Sequence, residues 1–339
     1  MRVALVSPLH ESVPPHLYGG TERVVAYLAD ELVALGHDVT LFATADSGTR
    51  AKLRSMTPRG LRLDASCHDP AAPHVAMLGR VAEAASDFDI VHFHLDYLHF
   101  PLVRAARLRA LTTEHGRLDL PDLEPLFREF DDMALASISN AQRQPLAFAR
   151  WAGTVYHGLP RDCLVPGDGS GGYLAFLGRV SPEKGLDRAI RIATRAGIRL
   201  RIAAKIEKVD VPYYESTIRP LLARPGIEFV GEIRESDKSA FLGRARALLF
   251  PIDWPEPFGL VQIEAMACGA PVIAYPNGSV PEIVEPGLTG AIVASEDEAV
   301  EAIARVSTLD RARIRQRFEQ RYTAQRMARD YVALYEALA

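Results

Sequence analysis

The sequence predicts two open α/β domains in tandem, each a parallel sheet covered by helices on both faces. Three observations carry that expectation. The 339 residues exceed the size at which one hydrophobic core stops growing, so two domains of roughly 150 to 180 residues follow. Short apolar, often β-branched runs alternate with amphipathic helical stretches, the pattern of strand–helix–strand units whose sheet is buried on both sides. The pattern also stops and restarts around PGDGSGG at 166–172, a composition that reads as a flexible linker.

Taken in order, RVALVS (2–7), VTLFAT (39–44), IVHFHL (90–95), ALTT (110–113) and ALASIS (134–139) read as strands of the first domain. Between the first two, Val24, Val25, Leu28, Leu32 and Leu35 recur at helical spacing; Thr21 can cap the start and Gly36 sits where a helix stops. In the second domain the strands are YLAFLG (173–178), IRLRIAA (198–204), IEFVG (227–231), ALLFP (247–251) and PVIAY (271–275), with helical stretches between them. A last helix covers about 323–338. The expected domains are thus 1–165 and 166–322. Two such sheets facing each other would leave a cleft at their C-terminal strand ends, where open α/β sheets bind ligands.

Composition narrows the function. A formal net charge of −4 gives no footprint for nucleic acid, which demands a basic face. Cys67, Cys163 and Cys268 are odd in number, far apart and in no CxxC arrangement, which indicates neither a disulfide framework nor a zinc knuckle and suits a reducing, cytosolic setting. The apolar run Val3–Val6 is broken by Pro8 and is too short for a signal-peptide core or a membrane span. Arg50, Lys52, Arg54, Arg59 and Arg62 run without an intervening acid, as a solvated loop or as a patch for peripheral contact with anionic headgroups; the net acidic first domain favours the loop. Only five of the 39 basic residues are lysine, so each lysine position is informative.

Three stretches suggest phosphate and sugar chemistry. In FLGRVSPEKGLDRAI (176–190) a strand turns into a helix, with Ser181 at the cap, Pro182 at the first helical position, and Arg179 and Lys184 flanking the turn. Free N–H groups at a helix start, an arginine and a lysine suit a diphosphate; a solvated turn is the plain alternative. YGGTE (18–22) follows the first strand, and Gly19 and Gly20 would let backbone approach a phosphate closely, or form an ordinary tight loop. This is not the GxGxxG fingerprint of dinucleotide binding. In WPEPFGLVQIEAMACGAPVIA (254–274) Glu256 is held between Pro255 and Pro257, Phe258, Gly259 and Leu260 open a helix, and Glu264 projects from it in apolar company with no basic residue in the run. A buried carboxylate without a partner is costly, and a polyhydroxyl ligand would supply one.

With YGGTE, TEHG (113–116), GRVSPEKG (178–185) and the E-x7-E pattern from Glu256 to Glu264, nearly the whole chain resembles the family 4 glycosyltransferases, retaining enzymes with two Rossmann-like domains in the GT-B architecture. The resemblance implies an acceptor-binding first domain, on which the last helix packs back, and a donor-binding second domain. It implies that Arg179 and Lys184 neutralise the donor diphosphate, that Glu256 contacts the transferred sugar, that Glu264 binds the ribose hydroxyls and that His115 lies near the sugar at the reaction centre. The Gly19–Gly20 loop would close over the phosphates. Phe258, Gly259 and Leu260 would offer helix-start N–H groups, and backbone near Ile233 would meet the base. A uridine donor is expected over a guanosine one, with no cofactor. In place of the family's glycine-rich loop after the second strand of this domain stands AAKIEKVD (203–210), with Lys205 at the strand end, as a replacement contact or a surface lysine.

Other signals carry less. Asp87 and Asp89 precede a strand, whereas a metal-holding DxD belongs at a strand's exit, so a helix-to-strand turn is expected. His92 and His94 share a strand face; metal binding there is disfavoured, His92 reads as a satisfied core residue, and His94 with Tyr97 as candidate acceptor contacts. The resulting expectation is metal-independent transfer of a hexosyl group to an acceptor hydroxyl. The alternatives are an inactive nucleotide-sugar-binding subunit and a nucleotide-sugar epimerase of the same architecture.

Overall fold

A computed structural model describes residues 1–16 and 19–338. The chain forms two compact units, Met1–Pro160 with Ala324–Ala339, and Arg161–Thr323. No helix among the described residues is long and apolar enough to cross a membrane.

The first unit holds a seven-stranded parallel sheet of β1 (Arg2–Val6), β2 (Asp38–Ala43), β3 (Lys52–Ser55), β4 (Ile90–Phe93), β5 (Ala110–Thr113), β6 (Leu135–Ser137) and β7 (Trp151–Thr154), in the order β3-β2-β1-β4-β5-β6-β7. The central strands are buried along almost their whole length, as helices on both faces require. Phe42, Phe93, Phe100 and Phe127 are fully buried in its core. The edge strands β3 and β7 were not expected, because polar Lys52–Ser55 and half-buried Trp151–Thr154 lack an apolar run. The basic segment is therefore in part a strand rather than a loop, and three of its five charges are ion-paired: Lys52 pairs with Asp38 at 2.7 Å, Arg54 with Asp87 at 3.5 Å and Arg62 with Glu11 at 3.1 Å. Asp87 and Asp89 occupy the turn before β4. The helix Gly20–Ala34 starts from Gly19, not from a Thr21 cap.

The C-terminal helix Ala324–Leu338 belongs to this unit and buries Tyr331 and Tyr335 completely. Tyr335 Oη lies 2.7 Å from His92 Nδ1, His92 Nε2 lies 2.7 Å from Thr113 Oγ1, and Thr113 Oγ1 donates to Tyr331 Oη at 3.0 Å. Both nitrogens of His92 are thereby engaged, as a satisfied core histidine requires.

The second unit repeats the design with β8 (Tyr173–Arg179), β9 (Arg199–Lys205), β10 (Ile227–Gly231), β11 (Ala247–Phe250), β12 (Val272–Ala274) and β13 (Gly290–Ile292), all parallel in the order β10-β9-β8-β11-β12-β13. The short edge strand β13 was not expected. Gly290 permits it: a Cβ there would lie 1.9 Å from Val272 O. The segment 166–172, expected to be a flexible linker, is instead fixed. Gly167 N donates to Cys268 O at 3.0 Å, Gly169 N to Gly243 O at 3.0 Å and Gly171 N to Arg244 O at 2.8 Å, and the Arg311 guanidinium donates to the carbonyls of Gly167 and Gly243, both at 2.8 Å. Its glycines serve close approach, since a Cβ on Gly167 would meet Gly243 O at 2.3 Å.

Tyr335→Phe removes one partner of a buried histidine nitrogen and keeps the ring. It should destabilise the protein by about 1 to 2 kcal/mol, read as a lower urea midpoint with unchanged slope. An unchanged midpoint would show that this bond contributes nothing net.

Candidate functional site

Strand order reverses between β1 and β4 in the first unit and between β8 and β11 in the second, the positions outside which open α/β sheets bind ligands. In the second unit Arg179 ends β8 and Pro251 follows β11. The two connections leaving these strands are locked together. Gly185 has φ 72°, and a Cβ there would lie 2.1 Å from Pro251 O. Arg188 Nε donates to Pro251 O at 2.8 Å, and Asp253 N to Glu183 O at 2.8 Å. Ser181 and Pro182 start only a 3-10 turn, Pro182–Lys184; the helix proper begins beyond Gly185, at Leu186–Ala196. That turn aims Lys184 at the loop after β11.

There it meets Glu256. The Lys184 ammonium is ion-paired with Glu256 Oε2 and lies 4.6 Å from the Trp254 ring centroid, while Trp254 Nε1 donates to the same oxygen at 3.0 Å. Glu256 is buried, and its backbone is held by Ser279 N donating to Glu256 O at 2.9 Å. The adjoining helix is Leu260–Ala267, opening two residues after Phe258, where it was expected; Gly259 precedes it at φ 76°, where a Cβ would crowd Gln262 Nε2 at 2.8 Å. Phe258 is buried, and its carbonyl accepts from Gln262 Nε2 and Ser279 Oγ, both at 2.8 Å; Leu260 is half-buried.

Glu264 is also buried, and the protein itself supplies its partner: Lys238 Nζ donates to Glu264 Oε1 at 2.6 Å and pairs with Glu235 at 2.9 Å. The 254–274 run holds no basic residue, as the sequence shows, and the partners expected from a polyhydroxyl ligand are supplied by lysines from other elements, Lys184 from the turn after β8 and Lys238 from the helix Glu235–Gly243. Ile233 is half-buried in the loop before that helix. Arg179 is bridged to Glu183 at 2.6 Å and Asp210 at 3.1 Å. Lys205 ends β9 in register with Arg179 and pairs with Glu207 at 2.9 Å. Sequence reading missed Lys238, Trp254 and Asp210. The scarcity of lysine marks Lys238, whereas nothing local marks the others.

In the first unit Gly19 has φ 154° and is buried against Pro15 and the Glu22 carboxylate, while Gly20 is exposed; Tyr18 lies outside the described residues. Past β4 and β5, His94 Nδ1 lies 2.8 Å from His115 Nε2, and His157 stacks on His115 at 5.3 Å between centroids. Loss of water around His115 pushes it down to about 3, and His94 and His157 are shifted well down by burial and by their histidine neighbours, so the cluster is neutral at physiological pH. Gln142 Nε2 fixes the backbone on either side of His115 by donating to Glu114 O at 2.9 Å and Gly116 O at 2.8 Å. Tyr97 is exposed. No group of three or more His, Cys, Asp or Glu among the described residues is arranged to hold a metal.

Lys238→Met leaves the buried Glu264 without its cation and should cost about 3 kcal/mol; Lys238→Met combined with Glu264→Met should recover most of that in denaturant unfolding. Equal melting of the single variant and the unmodified protein would show that the pair is not buried in solution.

A sequence profile of glycosyl transferases group 1 matches residues 168–324, and a profile of glycosyltransferase family 4 matches residues 18–155. A glycogen synthase of Mycobacterium tuberculosis (strain CDC 1551 / Oshkosh) is 28% identical over 393 residues, covering 98% of this chain and 91% of its own. The crystal structure of AviGT4, a glycosyltransferase involved in avilamycin A biosynthesis, superposes with a TM-score of 0.75 at 25% identity over 100% of this chain and 98% of its own. Anabaena Alr3699/HepE, solved in complex with UDP and glucose, shares the fold with a TM-score of 0.78 at 15% identity, covering 99% and 100% of the two chains. The two profiles between them span both units, and the chain belongs to the family 4-like glycosyltransferases of the GT-B fold.

Proposed function

We propose that the chain transfers a hexosyl group from a nucleotide diphosphate sugar to an acceptor hydroxyl, with retention at the anomeric carbon and without a divalent metal. The observation that carries this reading is the pairing of two buried carboxylates, Glu256 and Glu264, with Lys184 and Lys238 beside the start of the Leu260–Ala267 helix. A diphosphate draws Lys184 from Glu256, because a doubly charged anion competes with a single carboxylate for the ammonium. Glu256 then accepts from hydroxyls of the transferred sugar. Glu264, steadied by Lys238, accepts from the ribose hydroxyls, and backbone near Ile233 meets the base. Arg179 and the N–H groups of Phe258, Gly259 and Leu260 complete the phosphate contacts, with the Gly19–Gly20 loop contributing backbone. His115 serves the reaction centre and His94 and Tyr97 the acceptor.

In the reaction the bond from the anomeric carbon to the β-phosphate oxygen breaks and the bond to the acceptor oxygen forms. The acceptor proton passes to the departing phosphate, which leaves as nucleoside diphosphate. Negative charge grows on that phosphate, so Arg179 and Lys184 hold it more tightly in the transition state than in the ground state. The UDP and glucose bound to the Anabaena neighbour support a uridine donor. Free Cys67, Cys163 and Cys268 suit a cytosolic setting.

Dialysis against EDTA should leave nucleoside diphosphate release unchanged, since side chains and helix termini neutralise the leaving group; complete loss restored by magnesium or manganese would overturn the metal-free reading. Glu264→Gln should weaken nucleoside diphosphate and intact donor alike, by about tenfold, mainly in KM. Glu256→Gln should spare nucleoside diphosphate affinity and lower kcat by about ten- to a hundredfold, because a carboxylate beside a sugar gaining positive charge acts on the transition state. Equal loss of nucleotide affinity in both variants would defeat the division of roles.

A further inference from the structure

The first unit joins two imidazoles, and the hydrogen bond between them has a direction. His94, the residue after β4, donates its backbone N–H to Val6 O at 3.0 Å, and its Nδ1 lies 2.8 Å from His115 Nε2. His115 follows β5 by two residues, and Gln142 Nε2 holds the carbonyls on either side of it. In a neutral pair one of the two nitrogens donates and the other accepts. Both rings are kept neutral by burial. The Arg326 guanidinium adds to this: it donates to Tyr156 O at 2.7 Å and His157 O at 3.0 Å, and so places a positive charge beside the His157 ring that stacks on His115.

The far nitrogen of His94 sets the direction. His94 is 2% exposed, and its Nε2 is buried without a hydrogen-bond partner. If His115 donated, the His94 proton would sit on Nε2 and a buried N–H would be left unpaired. If His94 donates, its proton sits on Nδ1 and Nε2 keeps only a lone pair. Orphaned buried N–H groups are rarer than under-satisfied acceptors, so His94 is the donor. The same accounting closes at His92, whose ring lies 4.1 Å from that of His94. There Thr113 Oγ1 donates to Tyr331, so His92 Nε2–H donates to Thr113 and His92 Nδ1 accepts from Tyr335.

A ring nitrogen that accepts carries no proton, which puts the His115 proton on Nδ1. His115 is half-buried, and among the described residues no hydrogen bond engages that second nitrogen. We propose that His94 is a positioning residue that fixes His115 as its Nδ1–H tautomer, so that the ring presents a hydrogen-bond donor, and no base, to an oxygen of the substrate. This rests on the glycosyl-transfer reading, in which the acceptor proton passes to the departing phosphate, and it gives His115 the complementary part.

The test reads the tautomer directly. The full chain is labelled with heavy-nitrogen histidine, and long-range proton–nitrogen correlation spectra are recorded at neutral pH without ligand, the His115 signals being assigned by their loss in His115→Gln. The expected result is a proton on Nδ1, where a free imidazole in water favours Nε2. A proton on Nε2, or on both nitrogens, would overturn the assignment. His94→Asn keeps an N–H donor close to the place of Nδ1 and should leave the signature as it is. His94→Asp has nearly the same shape but only accepts, so it should put a proton on His115 Nε2. Identical His115 signatures in the Asn and Asp variants would show that His94 does not fix the tautomer; if the Asp variant fails to fold, His94→Phe, which lacks the donor, replaces it and should likewise release the proton to Nε2. Nucleoside diphosphate release from UDP-glucose, with water as acceptor, should survive in His94→Asn, whereas kcat should fall about tenfold at nearly unchanged donor KM in the variants that lose the donor. Equal kcat in all of them, or a change confined to KM, would overturn the positioning role. A protein that neither binds nor cleaves UDP-glucose or GDP-mannose overturns the glycosyl-transfer reading instead, and is told apart because the spectrum of the unliganded chain still reports the tautomer.

Discussion

A carboxylate buried among apolar side chains must be matched by a cation or by hydrogen-bond donors, and in the second unit this requirement organises everything around Glu256 and Glu264. The desolvation cost of burying each acid is of order several kcal/mol, and it arises only where the fold removes water and must be met there by the matching lysine. Lys184 meets Glu256 only because the turn after β8 is pressed against the connection after β11, and that approach depends on Gly185 having no Cβ in front of Pro251 O. Lys238 meets Glu264 only because the helix Glu235–Gly243 lies beside the helix Leu260–Ala267. The site therefore exists only in the folded sheet.

The first unit resolves the same problem in the opposite way. Its buried His94 and His115 are pushed to the neutral form, and the Glu114 carboxyl, buried beyond β5, is pushed toward the protonated one, so burial is tolerated by removing charge rather than by pairing it. Two sheets of nearly the same topology thus present different electrostatics, cationic and paired at one switch point, neutral and partly unpartnered at the other.

The legibility of the sequence follows the same physics. Central strands such as ALTT and ALLFP coincide with β5 and β11 because burial on both faces demands an uninterrupted apolar run. The edge strands β3, β7 and β13 were invisible because one side needs no apolar cover, and the glycine-rich 166–172 segment misled because glycine serves close packing as well as flexibility. Glu256, Glu264, Arg179 and Lys184 were readable because each sits in a local motif with its own mechanical logic. Their partners were not, since Lys238 is 26 residues and Lys184 72 residues from the acid it matches, and pairing at that distance is a property of the fold.

The pairing of Lys184 with Glu256 also has a mechanistic consequence. On the proposed reading one ammonium, Lys184, serves Glu256 before the donor arrives and the diphosphate afterwards, so it is never a free buried cation and Glu256 is never a free buried anion. Release of Lys184 by the diphosphate is what makes Glu256 available to the sugar, which ties sugar recognition to the presence of the leaving group. Return of Lys184 to Glu256 offsets part of the cost of losing the nucleoside diphosphate, and favours its departure once the sugar has gone. Trp254, which stands over the ammonium and donates to the same carboxylate oxygen, keeps Glu256 supplied with one hydrogen bond through the exchange. On that reading the Lys184–Glu256 ion pair is also the element that orders the steps of the reaction.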